Sequence, residues 1–143
     1  MGTRMMRNIK VKGDNLRFEH NTARAGCSYS SSSVEVIRYY NHAVYFHSIS
    51  GEDSQSVQMF SATEQDFEML KKFLSTSQKF IHYGQKIIFS LDNLKGVVDN
   101  GDILSVNCTS RSYNIRVKSV EDAQDFIETV KSKLNEEDSV NAN

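Results

Sequence analysis

The chain has 143 residues, of which 38% are hydrophobic and 24% charged, and its formal net charge is −1 at pH 7. A chain of this length buries roughly 68–70% of the surface that its unfolded form exposes, so a single domain over 1–143 needs no disulfide or structural metal. No apolar run approaches the ~20 residues that span a bilayer, which excludes a membrane-spanning helix and a membrane partner.

The first third of the chain predicts two hairpins separated by a loop. Apolar residues alternate on both sides of Gly13-Asp14-Asn15, which is typical of a short hairpin. Segment 20–33 is rich in serine, contains Gly26 and is predicted to be a loop. A second hairpin is predicted over 34–49, because Asn41-His42 suits a two-residue turn in which asparagine tolerates positive φ.

A strand over 56–60 and the first helix, over about 62–75, follow next. Ser61 and Glu64 have the spacing of a capping box, in which each side chain accepts a hydrogen bond from the other's backbone N–H. Apolar residues then recur at helical spacing and predict the buried stripe. These residues are Phe67, Leu70, Phe73 and Leu74.

The second half of the chain repeats the strand-then-helix pattern. A hairpin over 80–91 precedes a meander over 94–118, in which Asn100-Gly101 is the strongest turn signal. Ser119 is predicted to cap the last helix, over about 120–134. The two ends, 1–7 and 135–143, are predicted to be flexible.

The predicted fold class is therefore α+β, with antiparallel sheet or sheets of about eight strands. They come from two hairpin-rich halves, each followed by a packing helix. The alternative architecture resembles a pleckstrin-homology barrel or sandwich that is capped by the final helix.

The reverse face of the meander is a first candidate site. If Asn100-Gly101 and Ser110-Arg111 are two-residue turns, Val97 lies opposite Leu104, and one face is apolar and faces the last helix. Because side chains alternate, the reverse face is small and polar and suits either water, which is favoured, or a flat ligand. Its candidate binding residues are Asn107, Asn114 and Arg116.

The outer face of the 34–49 hairpin is the second candidate site. The turn predicts Tyr39 opposite Val44 on the core face. The outer face gathers an arginine, aromatic residues and a histidine, which are typical of recognition surfaces. Its candidate residues are Arg38, Tyr40, Tyr45 and His47. A binding patch, a dimer interface and a second core remain open alternatives for this face.

Charge is distributed unevenly along the chain. Residues 1–47 contain seven bases and three acids, which amounts to +4, so the remainder carries −5. A basic N-terminal third suits a phosphate-bearing or acidic partner. A solvated face is the favoured interpretation, because the charge is spread over 47 residues.

No pattern of a catalytic, metal or phosphate-loop site occurs in the sequence. The four histidines lack metal-ligand spacing, and no glycine-rich phosphate loop is present, so neither a metal nor a cofactor is predicted. Cys27 and Cys108 are expected to stay reduced in a cytoplasmic protein. A helix-turn-helix is disfavoured because the two helices are far apart, and sequence-specific DNA binding is disfavoured with it.

The predicted function is a non-enzymatic cytoplasmic binding protein that sequesters or blocks a protein partner or an anionic, nucleotide-like ligand. The chain has no proline, and its composition is typical of AT-rich genomes, so a phage or mobile-element inhibitor of host defence, acting in the host cytoplasm, is the favoured context. One alternative is a phosphoester-acting enzyme with His47 or His82 as base and Arg38 or Arg116 on the phosphate. Another is a structural module that forms a homodimer through the hairpin face.

Overall fold

A computed structural model describes residues 5–49 and 55–141, and for residues 24, 55 and 135–141 it describes the backbone only. The chain divides into two compact units, Met1–Asn93 and Leu94–Asn143. The described residues form eleven strands in three antiparallel sheets, together with two α-helices. The α+β class is therefore confirmed, whereas the prediction of about eight strands is wrong.

The first unit contains two sheets and a helix. The first sheet has the order β1-β2-β3, from strands Met6–Lys12, Asn15–His20 and Ala23–Ser30. The second sheet is formed by β4 (Val34–Tyr40), β5 (Ala43–Ile49), β6 (Gln55–Ser61), β7 (Phe80–Tyr83) and β8 (Ile87–Ser90). Its order is β6-β5-β4-β8-β7, and helix α1 spans Glu64–Leu74.

Aromatic side chains join the two sheets of the first unit. The Tyr29 ring stacks on that of Phe46 with centroids 4.2 Å apart, and Phe18 stacks on the same ring at 5.4 Å. Phe67, Leu70 and Leu74 of α1 are buried in the same cluster. The inner faces of both sheets therefore pack together, and their outer faces point in opposite directions. Phe73 is 38% exposed, so the prediction that it belongs to the buried stripe of α1 is wrong.

The predicted loop over 20–33 is mostly a strand. β3 pairs with β2 along its length, placing Tyr29 opposite Leu16 and Cys27 opposite Phe18. The segment does not look like a strand in the sequence because its residues are mostly small and because Gly26, at φ 76°, interrupts the alternation. The turn at Asn21-Thr22 and the turn between Ser30 and Val34 are what remains of the predicted loop.

The cap of helix α1 lies two residues later than predicted, at Thr63. The Thr63 hydroxyl accepts from the Asp66 backbone N–H at 3.1 Å, and the Asp66 carboxylate accepts from the Thr63 N–H at 3.0 Å. This is a capping box, but Ser61 belongs to β6, so the proposed Ser61 and Glu64 pair is wrong. The competing strand decides the helix start, because Ser61 pairs with Ala43.

The second unit is a three-stranded meander followed by a long helix. Strands β9 (Leu94–Asp99), β10 (Ile103–Cys108) and β11 (Ser112–Arg116) have the order β11-β10-β9, and α2 spans Val120–Asn141. The Ser119 hydroxyl accepts from the Asp122 N–H at 3.1 Å, which confirms the predicted cap.

The predicted registers of the meander are wrong by two residues. Leu104 lies opposite Asp99 and Ile115, because the turns are centred one residue away from the predicted positions. A slip of two residues keeps each side chain on its face, so Asn107, Asn114 and Arg116 lie on the reverse face as predicted. That face also carries the exposed apolar side chains of Val98 and Ile103.

The ends of the chain are only partly described. Helix α2 continues through 135–141, so this stretch, predicted to be flexible, is helical. Strand β1 begins at Met6, within the N-terminal end that was predicted to be flexible. Residues 1–4 and 142–143 lie outside the described part of the chain. Among the described helices, none is both long and apolar enough to cross a membrane.

Candidate nucleic-acid interface

The predicted hairpin patch is assembled as the turn requires. Arg38 lies opposite Tyr45, and both neighbouring pairs match the predicted register. The Arg38 Nε–H donates to His47 Nε2 at 2.9 Å, and the guanidinium lies 4.6 Å from the centre of the Tyr45 ring. Tyr40 is 63% exposed, whereas His47 is buried. Arg38 thus uses its Nε–H donor and one face of its guanidinium group on neighbouring side chains of the same sheet.

The hydrogen bond also defines the state of His47. An arginine N–H only donates, so His47 Nε2 accepts and the proton of the neutral ring lies on Nδ1. His82 pairs with Ile88, which in turn pairs with Ile37 on the inner face. The two histidines considered as catalytic bases therefore lie on opposite faces of the second sheet and do not form one site.

The other predicted site residues belong to the second unit. Asn114 accepts from the Ser105 hydroxyl at 2.9 Å, and Asn107 accepts from the Ser112 hydroxyl at 2.6 Å. Arg116 is exposed opposite Ile103. The polar side chains of this face thus bind one another across the strands. A binding role for these three residues and for the hairpin patch stays a prediction.

A different surface concentrates positive charge, namely the outer face of the first sheet. Lys10, Arg17 and Ser28 are cross-strand partners in one row, and Lys12, Asn15 and Ser30 form the next. Arg7 lies one row further, opposite Glu19. The basic face is defined here by four exposed bases. They are Arg7, Lys10, Lys12 and Arg17.

The bases of the basic face are available to a ligand. Within the described part of the chain, none of the four forms an ion pair with a carboxylate. Glu19, the carboxylate in these strands, accepts a hydrogen bond from the Asn8 amide. Unpaired, exposed charges keep their full attraction for an oppositely charged partner, so the face carries a local positive potential.

Two irregularities shape the centre of the basic face. β1 bulges at Asn8, which has φ 53°, and β3 bulges near Gly26. Both lie at the level of Phe18 and Glu19 on the central strand, and the face there is a concave groove of about 450 Å³. Bulges bend edge strands and are frequent beside functional sites. Lys10 and Arg17 lie along this groove.

Cys27 also lines the groove without adding reactivity. Burial raises the pKa of its thiol, which keeps it protonated at neutral pH. Among the described residues, no cluster of three histidine, cysteine or acidic side chains has the geometry to hold a metal ion. The groove therefore offers hydrogen bonds and charge rather than a nucleophile.

The alternation of residues in β1 is the sequence signal for the basic face. The +4 charge of residues 1–47 does not by itself place the bases on a sheet. Lys10 and Lys12 alternate with Ile9 and Val11, and this period already places the lysines on one exposed face. Because the sequence predicted neither β3 nor the bulges, it did not indicate that these bases share one sheet.

Comparison with known proteins shows a structural similarity but no family match. No protein-family model matches the chain, and no curated protein matches it. A solved structure is similar over 86% of this chain and 98% of its own, with 12% sequence identity and a TM-score of 0.48. It is the LytTr DNA-binding domain of a protein described as a methyl-accepting/DNA response regulator from Bacillus cereus.

This comparison corrects the predicted function and partners. The similar structure is a DNA-binding domain. The prediction of a phage inhibitor that sequesters a partner and the judgement against sequence-specific DNA binding are therefore not kept. The geometry of the basic face is independent of that comparison and carries the proposal below.

Proposed function

We propose that the chain binds double-stranded nucleic acid by contacting phosphates with the basic face. The observation that carries the proposal is the set of four exposed bases on one sheet face, without ion pairs in the described part of the chain. Phosphate contacts come mainly from lysine, arginine and hydroxyl side chains, and Ser28 and Ser30 supply hydroxyls beside the bases.

The spacing of the bases suits a regular polyanion. Lys10 and Lys12 are two residues apart on one strand, so their Cα atoms are separated by roughly 7 Å. Lys10 and Arg17 lie on neighbouring strands about 4.8 Å apart. The charges therefore form a small two-dimensional array rather than a single point. An array engages several phosphates at once, whereas a free mononucleotide meets only part of it.

The composition of the face favours a duplex over a single strand. Proteins that hold single strands stack bases on aromatic side chains, and such stacking supplies much of their affinity. The described outer-face positions of β1, β2 and β3 carry charged, amide and hydroxyl side chains and no aromatic ring. Duplex phosphates need no such platform, because their bases are already stacked.

The salt dependence of binding tests the proposal. Each phosphate neutralised on a duplex contributes about −0.9 to the slope of log K against log salt concentration. Four contacts therefore predict a slope of about −3.6 for a labelled 20-base-pair duplex, measured by fluorescence anisotropy. The double variant Lys10→Gln with Arg17→Gln is expected to bind more weakly, with a slope of about −1.8.

A matched control removes the same charge elsewhere. Lys72 on α1 and Lys86 before β8 are exposed and lie outside the basic face. Lys72→Gln with Lys86→Gln is expected to leave the slope at its wild-type value. Equal losses in both double variants would show that only net charge matters and would refute the proposal, as would wild-type protein that binds no duplex at low salt.

A further inference from the structure

The basic face contains one feature that phosphate binding does not explain. Glu19 is exposed on the central strand, in the same groove as Lys10 and Arg17. A carboxylate repels phosphates, so it weakens any contact that involves the nucleic-acid backbone alone. A carboxylate does accept hydrogen bonds from the exocyclic amino group of cytosine in the major groove.

The orientation of Glu19 is supported by its neighbour. Asn8 donates to the Glu19 carboxylate from across the sheet. It does so from φ 53°, a backbone region that few residues other than glycine adopt. The bulge that places Asn8 there is the means by which strands redirect side chains. Glu19 is thus held in place, rather than free to turn away from the groove.

Arg17 extends the same line of side chains. It lies two residues before Glu19 on the same face of β2, roughly 7 Å away. This is about twice the ~3.4 Å rise of one base pair. Arg17, which binds a phosphate in the proposed function, therefore holds the backbone within two base-pair steps of the base edge that Glu19 contacts.

We infer that Glu19, oriented by Asn8, determines sequence preference by accepting a hydrogen bond from a cytosine amino group in the major groove. This inference rests on the proposed duplex binding. Arg7, Lys10, Lys12 and Arg17 hold the backbone, and the carboxylate distinguishes one base pair from another. The backbone bases set affinity, and Glu19 sets selectivity.

Selection from a pool of duplexes with a randomised core tests this role. Wild-type protein is expected to enrich cytosine at one position by about 5- to 150-fold over the disfavoured bases. Glu19→Gln is expected to move the preference at that position to adenine, because glutamine pairs bidentately with adenine. Asn8→Gly keeps the positive φ and removes the donor, and is expected to reduce the enrichment at the same position.

Lys12→Gln separates selectivity from affinity. It is expected to weaken all duplexes alike, reduce the salt slope by about 0.9 and leave the enrichment unchanged. Uniformly tighter binding by Glu19→Gln, with unchanged preferences, would show that Glu19 only repels phosphates and would overturn the inference. Wild-type binding with a steep salt slope but no enrichment would also overturn it and leave the proposed function intact. Absence of any duplex binding would instead remove the proposed function itself.

Discussion

Replacement of Asn93 is expected to destabilise the first unit strongly. Asn93 is buried in the 3-10 turn Leu91–Asn93, and its amide donates to the carbonyls of Ser31, Ser32 and Val34 at 3.2, 2.9 and 2.7 Å. These carbonyls form the turn between β3 and β4. One side chain therefore ties that turn to the end of β8, 59 to 62 residues away in sequence.

The expected loss of stability depends on which hydrogen bonds each of the three carbonyls keeps after the substitution. Ser31 still accepts from the Ser90 hydroxyl, and Ser32 is exposed, so water replaces its lost donor. Val34 is buried and loses the shortest of the three bonds. A lost hydrogen bond costs about 1 kcal/mol and a buried acceptor without its donor about 1–3 kcal/mol, so Asn93→Ala is expected to cost about 3 kcal/mol.

Urea unfolding followed by circular dichroism measures this loss. With a slope of about 1–3 kcal/mol per molar, the midpoint is expected to fall by at least about 1 M. Asn93→Asp is expected to cost more than Asn93→Ala, because a carboxylate places acceptors against carbonyl oxygens. Asn15→Ala, at an exposed asparagine of β2, is the control and is expected to change stability by less than about 0.5 kcal/mol. Equal midpoints for Asn93→Ala and this control would refute the reasoning.

Two further predictions concern stability. Burial raises the pKa of the Tyr29 phenol above its ordinary value of 10, so the folded state keeps the proton that the unfolded state loses. This stabilisation is fully present below pH 10 and is lost as the pH rises beyond it, so the urea midpoint is expected to fall more steeply above pH 10 in wild type than in Tyr29→Phe. Thr63→Ala removes one half of the capping box and is expected to cost about 1 kcal/mol, whereas Ser61→Ala, at the position first predicted as the cap, is expected to cost much less in the same assay.

Local turn chemistry explains which registers were predictable. Asn41 and His42 both have positive φ, at 50° and 61°, so the two-residue turn between β4 and β5 fixes every pair along the hairpin. In the meander, only Gly101 has positive φ, and Asn100 donates its N–H to the Ile103 carbonyl across a turn at Gly101 and Asp102. Asn100-Gly101 therefore correctly predicted a hairpin between β9 and β10, but the turn is centred one residue later than predicted.

Long-range contacts explain what the sequence could not show. The Asn93 side chain orders the serine-rich turn through carbonyls about sixty residues away, and no local pattern encodes such a partner. The same holds for His20, whose Nε2–H donates to the Ser61 carbonyl at 2.8 Å while its Nδ1 faces Thr22. Both residues are polar and buried, and a hydrophobic pattern treats such positions as surface or loop.

The basic face shows why net charge is a poor guide to this chain. The whole sequence carries −1, yet four bases without ion pairs in the described part of the chain share one sheet face with a single carboxylate. In physiological salt, exposed charges interact only over a Debye length of about 8 Å, so a phosphate on this face is attracted chiefly by the bases of its own rows. The local density of charge depends on the alternation in β1 and β2 and on the strand that joins them. The alternation alone shows that Lys10 and Lys12 share a face, and the register with β2 adds Arg17 beside Lys10. The two double variants remove two bases each, one pair from the basic face and one pair from elsewhere, and so separate local charge from net charge.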